Sequence, residues 1–246
     1  ETIKEVRKRQ NKTLLAFSGG KDAVATYLAI KDYFDEVVPY YLYLVPDLAF
    51  IDEQLDMYER QFGFKITKLP HPSLHRLLNN FVFQPPQNCA VIEDAGLPDF
   101  DYTDIQAAMC QMHGLDKKTL VADGVRAADS PMRRIAIQTH GSISYNLLKY
   151  HPIWDWKKAD LVECFKKHNV RLGSDYKIFG RSFDGLDLRF LLPIKKHYPD
   201  DYKRILEFFP MVDLEIFRWE CQPPSGGCVL KRPHRHHLWR GRRPAA

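Results

Sequence analysis

Thr13-Leu14-Leu15-Ala16-Phe17-Ser18-Gly19-Gly20-Lys21-Asp22 is the stretch of this 246-residue chain on which the fold turns. A short apolar run, Thr13 to Phe17, stops abruptly at Ser18-Gly19-Gly20, the pattern of a buried strand that ends in a glycine-rich turn. From Ala23 to Phe34, Val24, Tyr27 and Leu28 recur at helical spacing, so a helix is predicted to begin just after Asp22. Phosphates bind where a strand turns sharply into a helix, because several backbone N–H groups and the helix dipole then converge on one anion. Gly19 and Gly20 allow the main chain to approach without a Cβ in the way, Ser18 offers a hydroxyl and Lys21 a positive charge. Asp22 is expected to cap the helix or to help hold Mg²⁺. The G-x-x-x-x-G-K-[ST] spacing is absent, so this is a different phosphate loop; the plainer reading is a tight strand–helix turn.

Working outward, Val37 to Val45 reads as a second strand. Ile51, Leu55, Tyr58 and Phe62 form a helical stripe that Gly63 closes, and Lys65 to Leu69 reads as a third strand ended by Pro70. Alternating strands and helices predict an α/β fold with a parallel, doubly wound sheet. Residues 71–116 break the rhythm and read as a helical insertion over the site. The sheet resumes at Thr119 to Ala122 and is followed by a strand near Tyr145 to Tyr150. Asp155 is the expected cap of a helix from Trp156 to His168. The expected organisation is a nucleotide-binding domain over 1–169, an α-rich appendage over 170–220 and an irregular basic tail over 221–246.

A second candidate anion site follows the fourth strand. Gly124-Val125-Arg126-Ala127-Ala128-Asp129-Ser130-Pro131-Met132-Arg133 places two arginines seven apart with a serine between them. Planar guanidinium forks suit a tetrahedral oxyanion. The alternative is that both arginines pair with Asp123 or Asp129 and bind nothing.

Together these motifs resemble the PP-loop ATP pyrophosphatase superfamily, whose signature is SGGxD followed by Ser or Thr; here Ala23 stands in place of the hydroxyl residue. The second run is similar to the G-x-R-x-x-x-S-x-x-R motif of the phosphoadenosine phosphosulfate reductase family. Pro152-Ile153-Trp154-Asp155-Trp156 is similar to a Pro-x-x-Asp-Trp stretch of that branch. The resemblance implies a Rossmann-like, adenine nucleotide α-hydrolase-like fold, with the nucleotide across the strand C-termini. Adenine is then expected against Ala16, Phe17 and Tyr43 to Val45. The phosphates are expected on Ser18, Gly19, Gly20, Lys21 and Asp22, with Gly124, Arg126, Ser130 and Arg133 as the second anion site. ATP or phosphoadenosine phosphosulfate is the implied substrate, with Mg²⁺.

Two enzymatic readings and one binding reading remain open. ATP members cleave between the α and β phosphates, adenylylating an acceptor and releasing pyrophosphate, and the intact loop favours this. A sulfonucleotide reductase would use Cys221 as thiolate nucleophile, but Glu220-Cys221-Gln222-Pro223 keeps only the Glu-Cys pair of the usual setting. A nucleotide-sensing or partner-binding module would rest on Ala23 alone. The cysteines Cys89, Cys110, Cys164, Cys221 and Cys228 show no C-x-x-C or adjacent pair, so no iron–sulfur cluster is expected, and a reducing, cytoplasmic setting is.

Net charge is +5, and Lys231, Arg232, Arg235, Arg240, Arg242 and Arg243 supply +6 of it, leaving the rest at −1. Any nucleic-acid or protein partner is therefore expected at the basic tail, 231–246. Cys221, Cys228, His234, His236 and His237 could ligate zinc, but their spacing is irregular and incidental histidines on a basic tail are the plainer reading. No apolar run reaches the roughly 18 residues of a membrane span, so no membrane partner is expected.

Overall fold

A computed structural model describes residues 1–173 and 175–221. The tail read as a basic or zinc-binding segment lies outside the described residues, except for Cys221.

In chain order the elements are α1 (Thr2–Arg7), β1 (Lys12–Ala16), α2 (Lys21–Ile30), β2 (Glu36–Tyr43), α3 (Ala49–Phe62) and β3 (Thr67–Pro70). There follow α4 (Pro72–Asn79), α5 (Pro86–Ala95), α6 (Tyr102–Met112), β4 (Val121–Ala122), α7 (Pro131–His140), β5 (Ile143–Ser144) and β6 (Lys149–Tyr150). The last are α8 (Lys158–His168), α9 (Asp175–Phe179), α10 (Leu188–His197), α11 (Pro199–Phe208) and α12 (Asp213–Glu220). One sheet carries the order β3-β2-β1-β4-β6-β5, parallel throughout except for β5 against β6. The expected strand at 145–150 is thus a short hairpin, β5 and β6, whose connecting turn takes up Tyr145 to Leu148.

Period-two alternation explains how the sheet is covered on both faces. Leu15, Tyr41 and Ala122 point into the larger core with α2 and α3, while Leu14, Tyr40 and Val121 point the other way, against Ile105, Met109 and Cys110 of α6. The connections leaving β1 and β4 run in opposite directions, from β1 to β2 and from β4 to the β5–β6 hairpin, and the chain returns from β3 by way of α6 to β4. That makes the β1–β4 boundary the switch point of a doubly wound sheet, where such folds open a crevice.

Three expectations about boundaries change. Residues 71–116 are not a mere insertion: α6 is the crossover that covers one sheet face. Its start is fixed by a reciprocal cap, with Asp101 accepting from the Thr103 and Asp104 amides at 2.7 and 3.1 Å and Asp104 accepting from the Asp101 amide at 2.8 Å. Likewise residues 170–220 are not set apart. Phe183, Phe190, Leu191, Ile194 and Ile205 share the large core with Leu15 and Phe17. The helix after Trp156 begins at Lys158 with Lys157 as N-cap, so Asp155 does not cap it; Asp160 instead accepts from the Lys157 amide at 2.6 Å.

Candidate functional site

The loop after β1 is shaped from outside itself. Phe17 continues the ladder by donating to the Tyr40 carbonyl at 2.8 Å, after which Gly19 turns with φ +70°. The Gly19 carbonyl accepts from Gln54 Nε2 at 3.1 Å and from the Tyr58 hydroxyl at 3.0 Å, both buried on one face of α3. Because the peptide is planar and trans, holding that carbonyl toward α3 turns the Gly20 amide the opposite way. A Cβ on Gly19 would meet Gln54 Nε2 at 3.0 Å in a backbone region that disfavours side chains, and one on Gly20 would meet Ser182 Oγ at 3.0 Å. The helix starts at Lys21, two residues earlier than the sequence implies, with Gly20 as its N-cap. Ala23 is buried in the large core, so the missing hydroxyl falls on a side chain that faces away from the loop.

A chain of ion pairs runs from this loop to the second motif. Lys21 Nζ lies 2.8 Å from Asp22 Oδ2, Asp22 Oδ1 lies 2.9 Å from Arg126 Nε, and Arg126 Nη2 lies 2.6 Å from Asp129 Oδ1. Asp129 Oδ2 then meets Arg133 Nη1 at 2.9 Å. Three cations alternate with two carboxylates. Both arginines of the expected clamp are therefore turned onto Asp129, the alternative the sequence left open. They differ in setting: the Arg126 side chain is 7% exposed and that of Arg133 51%. Ser130 is the N-cap of α7, accepting from the Arg133 amide at 3.2 Å. Gly124 is where the two motifs touch, because a Cβ there would stand 2.9 Å from the Asp22 carbonyl carbon.

Asp22 Oδ2 accepts from Lys21, while Oδ1, 2.9 Å from Arg126 Nε, makes no hydrogen bond among the described residues; a dication beside this carboxylate would still meet both cations, so it does not fit the expected Mg²⁺ role. Among the described residues no group of three or more His, Cys, Asp or Glu could hold a metal ion.

Beside the loop lies a cavity of about 640 Å³, lined by Ala16, Phe17 and Ser18 at and just past the end of β1, by Tyr40, Tyr41, Leu42 and Leu44 around β2, and by His71, Ser73 and Leu77 at α4. Phe83 and residues 183–187 close it. This is a mostly apolar cleft of the size that takes a nucleoside. Of the residues expected against adenine, Ala16, Phe17 and Leu44 line this cavity and Tyr43 and Val45 do not. Tyr43 lines a separate cavity of about 310 Å³ with Val45, Asp47 and Lys68, while its neighbours Leu42 and Leu44 line the larger one. His71 is held below the ordinary imidazole range by burial and then by Arg76. Its Nδ1 accepts from the Ser73 amide at 3.0 Å, and its Nε2 is 3.1 Å from the Tyr102 hydroxyl.

The C-terminal part of the chain reaches over the loop. The Tyr176 hydroxyl accepts from the Lys21 amide at 2.8 Å, and the Gly173 amide donates to the Tyr58 hydroxyl at 3.0 Å. Sequence reasoning missed both, along with Gln54: contacts spanning 155 and 115 positions leave no local pattern. Cys221 is exposed at the end of α12 and lines none of these cavities.

No family model matches the chain, and no curated protein does. Solved structures similar to it include the U34-tRNA thiolase NcsA from Methanococcus maripaludis with its [4Fe-4S] cluster, at 14% identity and TM-score 0.46, covering 86% of this chain and 78% of that one. Another is the phosphoadenylyl-sulfate (PAPS) reductase from Candida auris in a phosphate complex, at 10% identity and TM-score 0.44, covering 75% and 88%. A third is the NH3-dependent NAD synthetase from Campylobacter jejuni subsp. jejuni NCTC 11168 with nitrate ion, at 12% identity and TM-score 0.43, covering 91% and 95%. All three are members of the PP-loop ATP pyrophosphatase superfamily, the group that Ser18 to Asp22 resembles. At these identities and scores they decide nothing about the activity of this chain. The expectation that no iron–sulfur cluster is present is corrected by one of them, the thiolase, which carries a [4Fe-4S] cluster. Among the described residues no helix is long and apolar enough to cross a membrane. With its sheet order, its switch point and a glycine loop at the C-terminal end of β1, the chain has a doubly wound, Rossmann-like α/β fold.

Proposed function

We propose that this chain is an adenine-nucleotide-binding enzyme that cleaves ATP between its α and β phosphates, adenylylating an acceptor and releasing pyrophosphate. The observation that carries the reading is the 640 Å³ apolar cavity that Ser18, the residue before the two glycines, helps to line. A purine between Phe17, Leu42 and Leu186 would leave its phosphates beside Gly19, Gly20 and the first turn of α2. There, backbone N–H groups, the helix dipole and Lys21 offset the charge. Catalysis at such a site is positioning and charge neutralisation. Seating the phosphates displaces the Tyr176 hydroxyl from the Lys21 amide and competes with Asp22 for Lys21.

The rival, reduction of a sulfonucleotide, needs a thiolate at the reacting sulfur. Cys221 stands outside the cavity, which weighs against it. The non-catalytic reading leaned on Ala23, whose side chain faces the core. Incubation with [α-³²P]ATP or with ³⁵S-labelled phosphoadenosine phosphosulfate and a thiol donor tests the choice. AMP and pyrophosphate, undiminished in Cys221→Ser and lost in Lys21→Ala, are expected. Sulfite formation abolished by Cys221→Ser would overturn the reading.

A further inference from the structure

β4 and β6 are parallel neighbours whose register sets Ala122 beside Tyr150, so the next residues of each, Asp123 and His151, leave the sheet together at its C-terminal edge. The Asp123 amide donates to the Tyr150 carbonyl at 3.1 Å, which continues the ladder by one step. Beyond it, His151 Nδ1 stands 2.5 Å from Asp123 Oδ1, and that oxygen also accepts from the Val125 amide at 3.1 Å. An ionised carboxylate at Nδ1 requires the proton there, which leaves the lone pair of the neutral ring on Nε2. Among the described residues Nε2 has no hydrogen-bond partner.

The pair stands against the phosphate loop. Asp123 precedes Gly124, which abuts the Asp22 backbone, and the Thr26 hydroxyl of α2 reaches the Asp123 carbonyl at 3.5 Å. On the cavity side, the Tyr40 phenol is pushed upward chiefly by burial and next by the charge of Asp123. The Ala127 amide donates to the Trp154 carbonyl at 2.7 Å, which ties the loops after the two strands together. A pair whose only task was to join β4 to β6 would not need an imidazole with one nitrogen unoccupied at the C-terminal edge of the sheet.

We propose that His151 is the general base of the reaction and that Asp123 is its positioning residue. The acceptor is then a protic nucleophile (a hydroxyl, an amine or a thiol) rather than a carboxylate, which has no proton to lose. The acceptor's lone pair forms the new bond to the α-phosphorus, and its proton passes to Nε2. The bond from the α-phosphorus to the bridging oxygen breaks, and pyrophosphate leaves with that electron pair. This rests on the ATP reading above.

The test uses the full chain, non-cleavable α,β-methylene-ATP, and water and hydroxylamine as probe nucleophiles with [α-³²P]ATP. Saturation with the analogue is expected to shift the ¹⁵N resonance of His151 Nε2, assigned by its loss in His151→Gln, while calorimetry gives His151→Gln the wild-type affinity. AMP formation should fall by about 10² or more in kcat in His151→Gln and Asp123→Asn with KM little changed, the magnitude typical of a lost general base. Asn keeps an acceptor for the Val125 amide, and melting curves show whether each variant is folded. If the analogue binds but Nε2 does not move, or if folded His151→Gln keeps wild-type kcat, the pair is structural and the proposal falls. Binding by the wild type that yields neither AMP from water nor the adenylyl adduct of hydroxylamine also overturns it. No binding of the analogue at all overturns the ATP reading itself.

Discussion

Replacing Gly124 by alanine tests the junction on which the whole site depends. The added methyl would stand 2.9 Å from the Asp22 carbonyl carbon, 3.0 Å from its Cβ and 3.1 Å from its carbonyl oxygen. None of these can swing aside as the end of a long side chain can, because they belong to the first turn of α2. Two terms favour the substitution: a less flexible unfolded chain, about 0.4–1 kcal/mol, and burial of one methyl, about 0.8 kcal/mol. Against them stands overpacking between two backbones, about 1–3 kcal/mol and at the high end here because neither side yields. The expected net loss is about 1 kcal/mol or more, or a melting temperature lower by about 2–4 °C per kcal/mol for a chain of this size. Gly185→Ala is the control, since no atom lies within 4 Å of a Cβ there, and it should melt within a degree or two of wild type. The strain should also part Asp22 from Arg126, so calorimetry should show weaker ATP binding. A Gly124→Ala protein that melts at or above wild type would refute the close approach and the coupling built on it.

Three other outcomes are expected. Arg126→Lys, at a buried position facing two carboxylates, should destabilise the chain clearly, toward the 3–5 kcal/mol of a broken buried pair; Arg133→Lys should cost no more than about 1 kcal/mol, and chemical denaturation compares them. Tyr58→Phe leaves the buried Gly173 amide without its acceptor and the Gly19 carbonyl with Gln54 alone, a loss of about 1–3 kcal/mol that denaturant midpoints should reveal. His71 has a depressed folded-state pKa, so the folded state binds fewer protons; its contribution is present above about pH 6.5 and is lost as pH falls through the folded pKa. An NMR titration midpoint at or above 6.5 for His71 would contradict that.

The strand, the glycine turn and the following helix were legible because their signals are local: an apolar run, two glycines and a period of 3.6. The seven-residue spacing of Arg126 and Arg133 was legible too, but not its use, because Asp129 lies between them in sequence as well as in space and takes both guanidiniums. Of the expected stretch Tyr43 to Val45, Leu44 lines the larger cavity while Tyr43 and Val45 line the smaller one, a division that no local pattern announces. The Asp123–His151 pair was hidden for another reason: its 28-residue separation acquires meaning only from the β4–β6 register. The role of residues 183–187 in closing the cavity was equally out of reach, since it follows from the large core that Phe183 shares with Phe17.

The two α3 side chains on the Gly19 carbonyl bear on protein engineering. A pentapeptide grafted onto another strand–helix unit would bring the glycines and the lysine but not Gln54 and Tyr58, which sit 35 and 39 positions downstream and set the orientation of that peptide plane. Such a transplant would have the letters of the loop without its conformation. The smallest portable unit is β1 through α3, residues 12–62, and within it Gln54 and Tyr58 belong to the motif as much as Gly19 does.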